Sequence, residues 1–200
     1  VALVQGGVLE LHVWGSRVDD VEKPDMLVFD LDPSPEVQWE HMLRVARDLR
    51  ERLAQLELES FVRTTGGKGL HLAVPLRRRA GWDEAKEFAR AIATAHAADD
   101  ARVTANMSKE KRRGKIFLDY LRNGRGSTAI CSYSTRSRAG APVAVPVRWD
   151  EVNAALRPDR YDIRNIRRRL GALKSDPWEG FEEARRTLTR DLLKRVGAGK

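Results

Sequence analysis

The stretch Met26-Leu27-Val28-Phe29-Asp30-Leu31-Asp32-Pro33 decides how this chain is read. Four apolar residues followed by D-x-D describe a buried, central strand whose last residues reach the surface. Side chains alternate along a strand, so Asp30 and Asp32 share one face and Leu31 turns to the other. Two carboxylates held that close repel and raise each other's pKa unless a cation lies between them. Hard oxygen donors favour magnesium or manganese. The stretch therefore predicts a metal site at the end of a central strand.

Outward from this strand, residues 8–14 alternate apolar and polar and read as an earlier strand. Asp32-Pro33-Ser34-Pro35 ends the central strand, with Ser34 as N-cap and Pro35 as the first helical residue. Met42, Ala46, Leu49, Leu53 and Leu56 then recur at helical spacing and predict an amphipathic helix. Residues 61–64 and 70–76 read as strands joined through Gly66-Gly67-Lys68-Gly69, which makes a hairpin. Residues 82–98 predict a second amphipathic helix, with Ala85, Phe88, Ala89, Ile92 and His96 on one side. Residues 115–121 read as a strand with Phe117 and Asp119 on one face and Ile116, Leu118 and Tyr120 on the other. Short strands follow at 129–132 and 143–147, and helices at 149–156 and 181–196, the last as a C-terminal cover. This order predicts an α+β fold with a mixed or antiparallel central sheet and flanking helices.

Two hundred residues suffice for one domain with a sizeable core. The apolar runs are far too short to span a membrane, so a membrane role is not expected. The single cysteine, Cys131, excludes an internal disulfide and suits a reducing cytoplasm. The chain starts at Val1 and soon enters a strand-like segment, which reads as a cut inside a larger domain. Residues 195–200 read as a chain end or linker. The formal charge of +8 points to an anionic partner such as nucleic acid or nucleotide. Basic residues cluster at 77–79, 109–115, 122–138 and 164–169 among Gly, Ser and Asn, a composition of loops facing a polyanion.

Three constellations carry chemistry. The first is Asp30 with Asp32. The second is Thr65-Gly66-Gly67-Lys68-Gly69-Leu70-His71, where glycine N–H groups and one ammonium would make a phosphate cradle. It departs from a P-loop because Gly69, not Ser or Thr, follows Lys68. The third is Asp119, an acid at the end of an apolar strand flanked by Arg112, Lys115 and Arg122. Carboxylates, a phosphate loop and a basic surround together fit metal-assisted phosphoryl or nucleotidyl transfer.

The residues Leu27-Val28-Phe29-Asp30-Leu31-Asp32-Pro33, Thr65-Gly66-Gly67-Lys68-Gly69-Leu70-His71, Phe117-Leu118-Asp119-Tyr120-Leu121-Arg122-Asn123 and Tyr133-Ser134-Thr135-Arg136-Ser137-Arg138 resemble the polymerase domain of bacterial DNA ligase D. That family belongs to the archaeo-eukaryotic primase superfamily. The resemblance extends over roughly residues 1–178 and includes the segments around His12-Val13-Trp14 and Val147-Arg148-Trp149. It implies a primase-like core and a template-directed nucleotidyltransferase that fills or extends broken DNA ends in non-homologous end joining. NTPs or dNTPs would be the substrates, primer–template DNA ends the partner, and Ku and a DNA ligase domain further partners. Carried over by motif, Asp30, Asp32 and Asp119 would hold two divalent ions, Mn2+ or Mg2+. One ion would activate the primer hydroxyl and the other would bind the triphosphate. Thr65, Lys68 and His71 would hold the triphosphate or sugar, with Arg136 and Arg138 adding charge and His12 nearby. Lys109 and Arg112 would line the same groove.

Thr65 stands where the family has serine, and Cys131-Ser132 stands where a proline is common. The resemblance implies that the family's N-terminal portion, which helps bind the 5′-phosphate and template, would lie outside this sequence, with residues 1–200 as the catalytic portion. Two other functions compete. A non-catalytic nucleic-acid-binding domain that docks ends for a ligase would need the basic surface but not the acids. A haloacid-dehalogenase-like phosphatase would use the first aspartate as nucleophile, but Pro33-Ser34 replaces the residue it wants after the second.

Overall fold

The computed structural model describes residues 2–197. A short helix, α1 (Ala2–Gln5), precedes β1 (His12–Val13), β2 (Ser16–Arg17), β3 (Asp20–Pro24) and β4 (Met26–Pro33). Then come α2 (Trp39–Gln55), the hairpin strands β5 (Phe61–Thr64) and β6 (Leu70–Pro75), and α3 (Trp82–Asp99). The chain continues through β7 (Val103–Thr104), β8 (Ile116–Asp119), β9 (Ala129–Ile130), β10 (Pro146–Val147), α4 (Ile166–Ala172) and α5 (Arg190–Arg195).

Six strands form one sheet in the order β10-β5-β6-β4-β8-β7, antiparallel except for the β7–β8 pair. The apolar run Met26–Pro33 is thus interior, hydrogen-bonded to β6 on one side and β8 on the other. Leu27, Phe29 and Leu31 join the hydrophobic core with Leu70, Leu72 and Val74 of β6 and Ile116 and Leu118 of β8. The buried sides of α2 (Met42, Leu49, Leu53) and α3 (Ala85, Phe88, Ile92) enter the same cluster, so both helices cover one face of the sheet. By strand alternation Asp30, Asp32, Arg63, His71 and Asp119 stand on the opposite face. The fold separates a dry, helix-covered face from a polar one.

A tight turn after β8 fixes the edge of that polar face. Asn123, 2% exposed, accepts from the Val28 N–H at 2.7 Å and donates to the Val28 carbonyl at 2.8 Å. Its amide completes a buried backbone position that would otherwise lack partners. Asn123→Ala is expected to cost about 3 kcal/mol of stability, because both Val28 groups lose their partner in a buried site. Denaturant melts check this, and a loss below about 1 kcal/mol would contradict the pairing.

The mixed sheet, the hairpin and both long helices agree with the sequence expectations. Several boundaries differ. The strand expected over residues 8–14 is confined to β1, which pairs with β9; residues 8–11 make scattered bonds instead, such as Leu11 N–H to Ser134 Oγ at 2.8 Å. Ser34 is not the helix cap. Its hydroxyl donates to Glu36 at 2.7 Å within a turn, β4 continues through Pro33, and α2 begins only at Trp39. The helix expected over 149–156 is a single 3-10 turn, Trp149–Glu151. The helix expected over 181–196 shrinks to α5, because residue 186 pairs with the end of β6: Arg77 N–H donates to the Arg186 carbonyl at 2.7 Å. The basic cluster at 164–169 turns out to enter a helix, α4, which carries no buried residue and hence no apolar stripe to reveal it. Of the tail expected over 195–200, residues 198–200 lie outside the described residues.

Candidate active site

Asp30 and Asp119 are direct partners across the β4–β8 pair, so the antiparallel register sets their carboxylates side by side. Asp32 lies one pleat further along the same face. On the other flank, His71 is the register partner of Asp30 across β6. Its Nε2 lies 3.4 Å from Asp30 Oδ1. Arg122, from the turn Leu121–Asn123, closes the group: its Nη2 is 3.4 Å from Asp30 Oδ2 and its Nε 3.3 Å from Asp119 Oδ2.

Charge sorts these acids. Burial works against the Asp30 carboxylate, but His71 and Arg122 outweigh it and hold its pKa below the ordinary range. Burial, and after it the neighbouring Asp30, raises Asp32, with Lys68 and Arg112 opposing. Burial also raises Asp119, against its hydrogen bond from the Leu121 N–H at 2.8 Å. His71 is depressed by burial, with the Arg63 guanidinium acting the same way and Asp30 opposing. Of the groups that lower Asp30, His71 acts first and the Arg122 guanidinium after it.

Arg63 was not among the residues singled out from sequence. It is 3% exposed and donates to His71 Nδ1 from two nitrogens, at 3.3 and 3.1 Å. A guanidinium has no acceptor, so Nδ1 must accept and the ring proton resides on Nε2, facing Asp30. Burial lowers the Arg63 pKa to about 10, which still leaves it charged at neutral pH. The Trp178 ring, 5.7 Å from the guanidinium, packs behind it. The alternating position of Arg63 in β5 was visible, but its partner across β6 was not.

The glycine loop differs from the expected cradle. Gly66 N–H donates to the Pro158 carbonyl at 2.9 Å. Gly67 and Gly69 N–H groups both donate to Thr65 Oγ1, at 3.2 and 3.3 Å. These donors are spent on the protein itself, and the Thr65 hydroxyl, itself buried, organises the loop from inside. What the loop presents is the exposed Lys68 side chain. Arg136 and Arg138 lean over it, both within 3.7 Å of where a Cβ on Gly67 would stand. Arg136 also donates to the Thr65 carbonyl at 2.9 Å.

Glu10 is a second residue that sequence reasoning missed. Its carboxylate contacts His12 Nε2 at 2.9 Å, accepts from Ser137 N–H at 2.7 Å and faces Arg136 at 3.2 Å. The His12 and Ser137 hydrogen bonds take its pKa down to about 2. Glu10 thereby ties the N-terminal segment to the arginine loop.

One concave pocket gathers His12, Asp30, Asp32, Thr65, Lys68, His71, Arg136 and Arg138, together with Arg122. Asp119 joins them through its register with Asp30. Arg112 stays beside the group, its guanidinium 3.4 Å from the Phe117 ring centroid, and acts on Asp32 and Asp119 through charge. Lys109 is exposed and outside the pocket lining. An acidic pole thus faces a basic one, the arrangement that takes a polyanion bridged by a cation.

The acids suit a hard divalent ion by donor chemistry and convergence. Among the described residues, however, no three His, Cys, Asp or Glu side chains are drawn into a ready metal-binding group. The cation that now balances Asp30 and Asp119 is Arg122. No described helix is long and apolar enough to cross a membrane.

A family model described as LigD, primase-polymerase domain, matches residues 1–178. The multifunctional non-homologous end joining protein LigD of Pseudomonas aeruginosa is 40% identical over 202 residues, covering 100% of this chain and 24% of that protein. The bifunctional LigD of Bacillus subtilis is 32% identical over 161 residues, covering 79% of this chain and 26% of that protein. The chain therefore spans about a quarter of the length of these relatives. Among solved structures, the polymerase domain from Mycobacterium tuberculosis ligase D in complex with DNA superposes with a TM-score of 0.82 at 32% identity. That match covers 91% of this chain and 66% of the other. By sequence and by fold alike, this chain belongs to the LigD primase-polymerase domain family.

Proposed function

We propose that this chain is the catalytic part of a template-directed nucleotidyltransferase that fills or extends broken DNA ends with NTPs or dNTPs in non-homologous end joining. The observation that carries this reading is the pocket in which Asp30 and Asp32, with Asp119 paired to Asp30 across β4 and β8, face Lys68, Arg136 and Arg138. Two divalent ions, Mn2+ or Mg2+, held by the three aspartates, would make the primer hydroxyl a better nucleophile and neutralise the departing pyrophosphate. The protein's own groups do the rest. Lys68 and Arg138, both exposed at the pocket, meet the phosphates. Arg136 is braced by Glu10 and the Thr65 carbonyl and so offers a positioned charge. His71, its tautomer set by Arg63, orients one oxygen of Asp30. Ku and a DNA ligase domain are the partners this activity would serve. The phosphatase alternative fits poorly, since Pro33-Ser34 follows Asp32 and the oxygens of Asp30 face His71 and Arg122 rather than open space.

The test is extension of a primed DNA template by the protein, with ribo- and deoxynucleotides, in Mn2+ and in Mg2+. Nucleotide addition that needs the template and a divalent ion is expected. DNA binding without any addition would instead establish a docking role.

A further inference from the structure

The oxygens of Asp30 and Asp119 are unequally placed. Asp30 Oδ1 faces His71 Nε2 at 3.4 Å, and Asp119 Oδ1 accepts from the Leu121 N–H at 2.8 Å. Asp119 Oδ1 is thus bonded to the backbone, and Asp30 Oδ1 faces a buried ring that Arg63 holds in place. The other two, Asp30 Oδ2 and Asp119 Oδ2, both face the guanidinium of Arg122, at 3.4 and 3.3 Å. These are the oxygens left to meet a cation.

Arg122 is suited to hold that place and to leave it. Its backbone is anchored, because the next residue, Asn123, is buried and doubly bonded to Val28. Its side chain is 41% exposed and lines the pocket that also contains Lys68 and Arg138. Two carboxylates on directly paired strand positions are unstable without a counter-charge, and a guanidinium whose donors form a planar fork can serve both at once. Contacts of 3.3–3.4 Å are looser than a tight bidentate pair, which makes the arrangement easy to exchange.

We propose that Arg122 is a built-in counter-ion, occupying the cation position between Asp30 and Asp119 until a divalent ion displaces it. The inference rests on the metal reading given above and adds a competition to it. Metal affinity is set by the ion's pull on the two carboxylates less the pull of Arg122. Displacement turns the guanidinium toward the basic side of the pocket, where an incoming polyphosphate offers it a new partner. Arg122 is thus a positioning residue that couples metal entry to nucleotide entry.

The experiment is direct Mn2+ binding without nucleotide or DNA, followed by the electron paramagnetic resonance signal of free Mn2+. The parent chain is compared with Arg122→Gln, Arg122→Lys and Asp30→Asn. Arg122→Gln should bind Mn2+ about three- to tenfold more tightly, since both the competitor and its repulsion are gone. It should also melt at a lower temperature without metal and gain more from added Mn2+ than the parent does. Arg122→Lys, which keeps a charge but loses the fork, should fall between the two and serves if the glutamine variant fails to fold. Affinity unchanged or weakened in these variants, with Mn2+ binding still lost in Asp30→Asn, overturns the counter-ion role and leaves the metal reading intact. Parent binding that is not saturable, or that survives Asp30→Asn, overturns both.

Discussion

Alanine at Asp30 or at Asp119 is expected to reduce nucleotide addition by about a thousandfold or more. Each acid presents one oxygen to the protein frame and one to the place where a cation sits. Removing either leaves a positive pocket that still attracts a triphosphate but has too little negative charge to hold a divalent ion beside it. DNA binding should stay within about threefold of the parent, because carboxylates make no favourable contact with phosphates. Primer extension and gel-shift titration on the same preparations separate the two effects. A thermal melt guards against misfolding, since either change takes one of the two carboxylates from Arg122 and the Asp30 change also unpairs His71. Substantial extension by either variant would remove the metal assignment.

Gly69→Ala should show the largest structural effect of any single methyl group in this region. A Cβ on Gly69 would stand 1.9 Å from the Leu31 carbonyl oxygen and 3.0 Å from its carbon. Both are backbone atoms of the central strand, so neither can step aside as a flexible side chain could. The hairpin would have to part from β4 at the Leu31–Leu70 pair, next to the aspartates. A loss of about 3 kcal/mol or more is expected in denaturant melts. Gly171→Ala is the control. It lies in α4 with open space around the added methyl, and should be neutral or stabilising by about 1 kcal/mol. Equal effects at the two glycines would show that the close approach of loop and strand is not real.

Much of the fold was legible because its signals are local. The Met26–Pro33 run, the spacing of Met42, Ala46, Leu49 and Leu53, and the glycine-joined hairpin each carry their periodicity within a few residues. Most elements that failed were those decided by distant partners. Residues 8–11 alternate like a strand, but pairing with β9 is confined to His12–Val13. Residues around 186 have helical composition, yet the open end of β6 takes their hydrogen bonds. Ser34 is a good cap in principle, but its hydroxyl finds Glu36 first.

The candidate site divides along the same line. Asp30, Asp32, Lys68 and His71 stand out in the chain because carboxylates ending an apolar strand, and a glycine loop with a lysine, violate what a plain core or turn would contain. Arg63 and Glu10 do not stand out, and Arg122 does so only as one of several bases flanking Asp119, since an arginine or glutamate among many is unremarkable until its partner is known. The sequence by itself determined the alternation that puts the acids on one face, the family, and the sign of the surrounding charge. Only the tertiary structure decided that Asp119 stands opposite Asp30, that Arg63 sets the His71 tautomer, and that Arg122 holds both free oxygens. Those three facts depend on strand register and on contacts between separate elements, and periodicity along one chain carries no record of either.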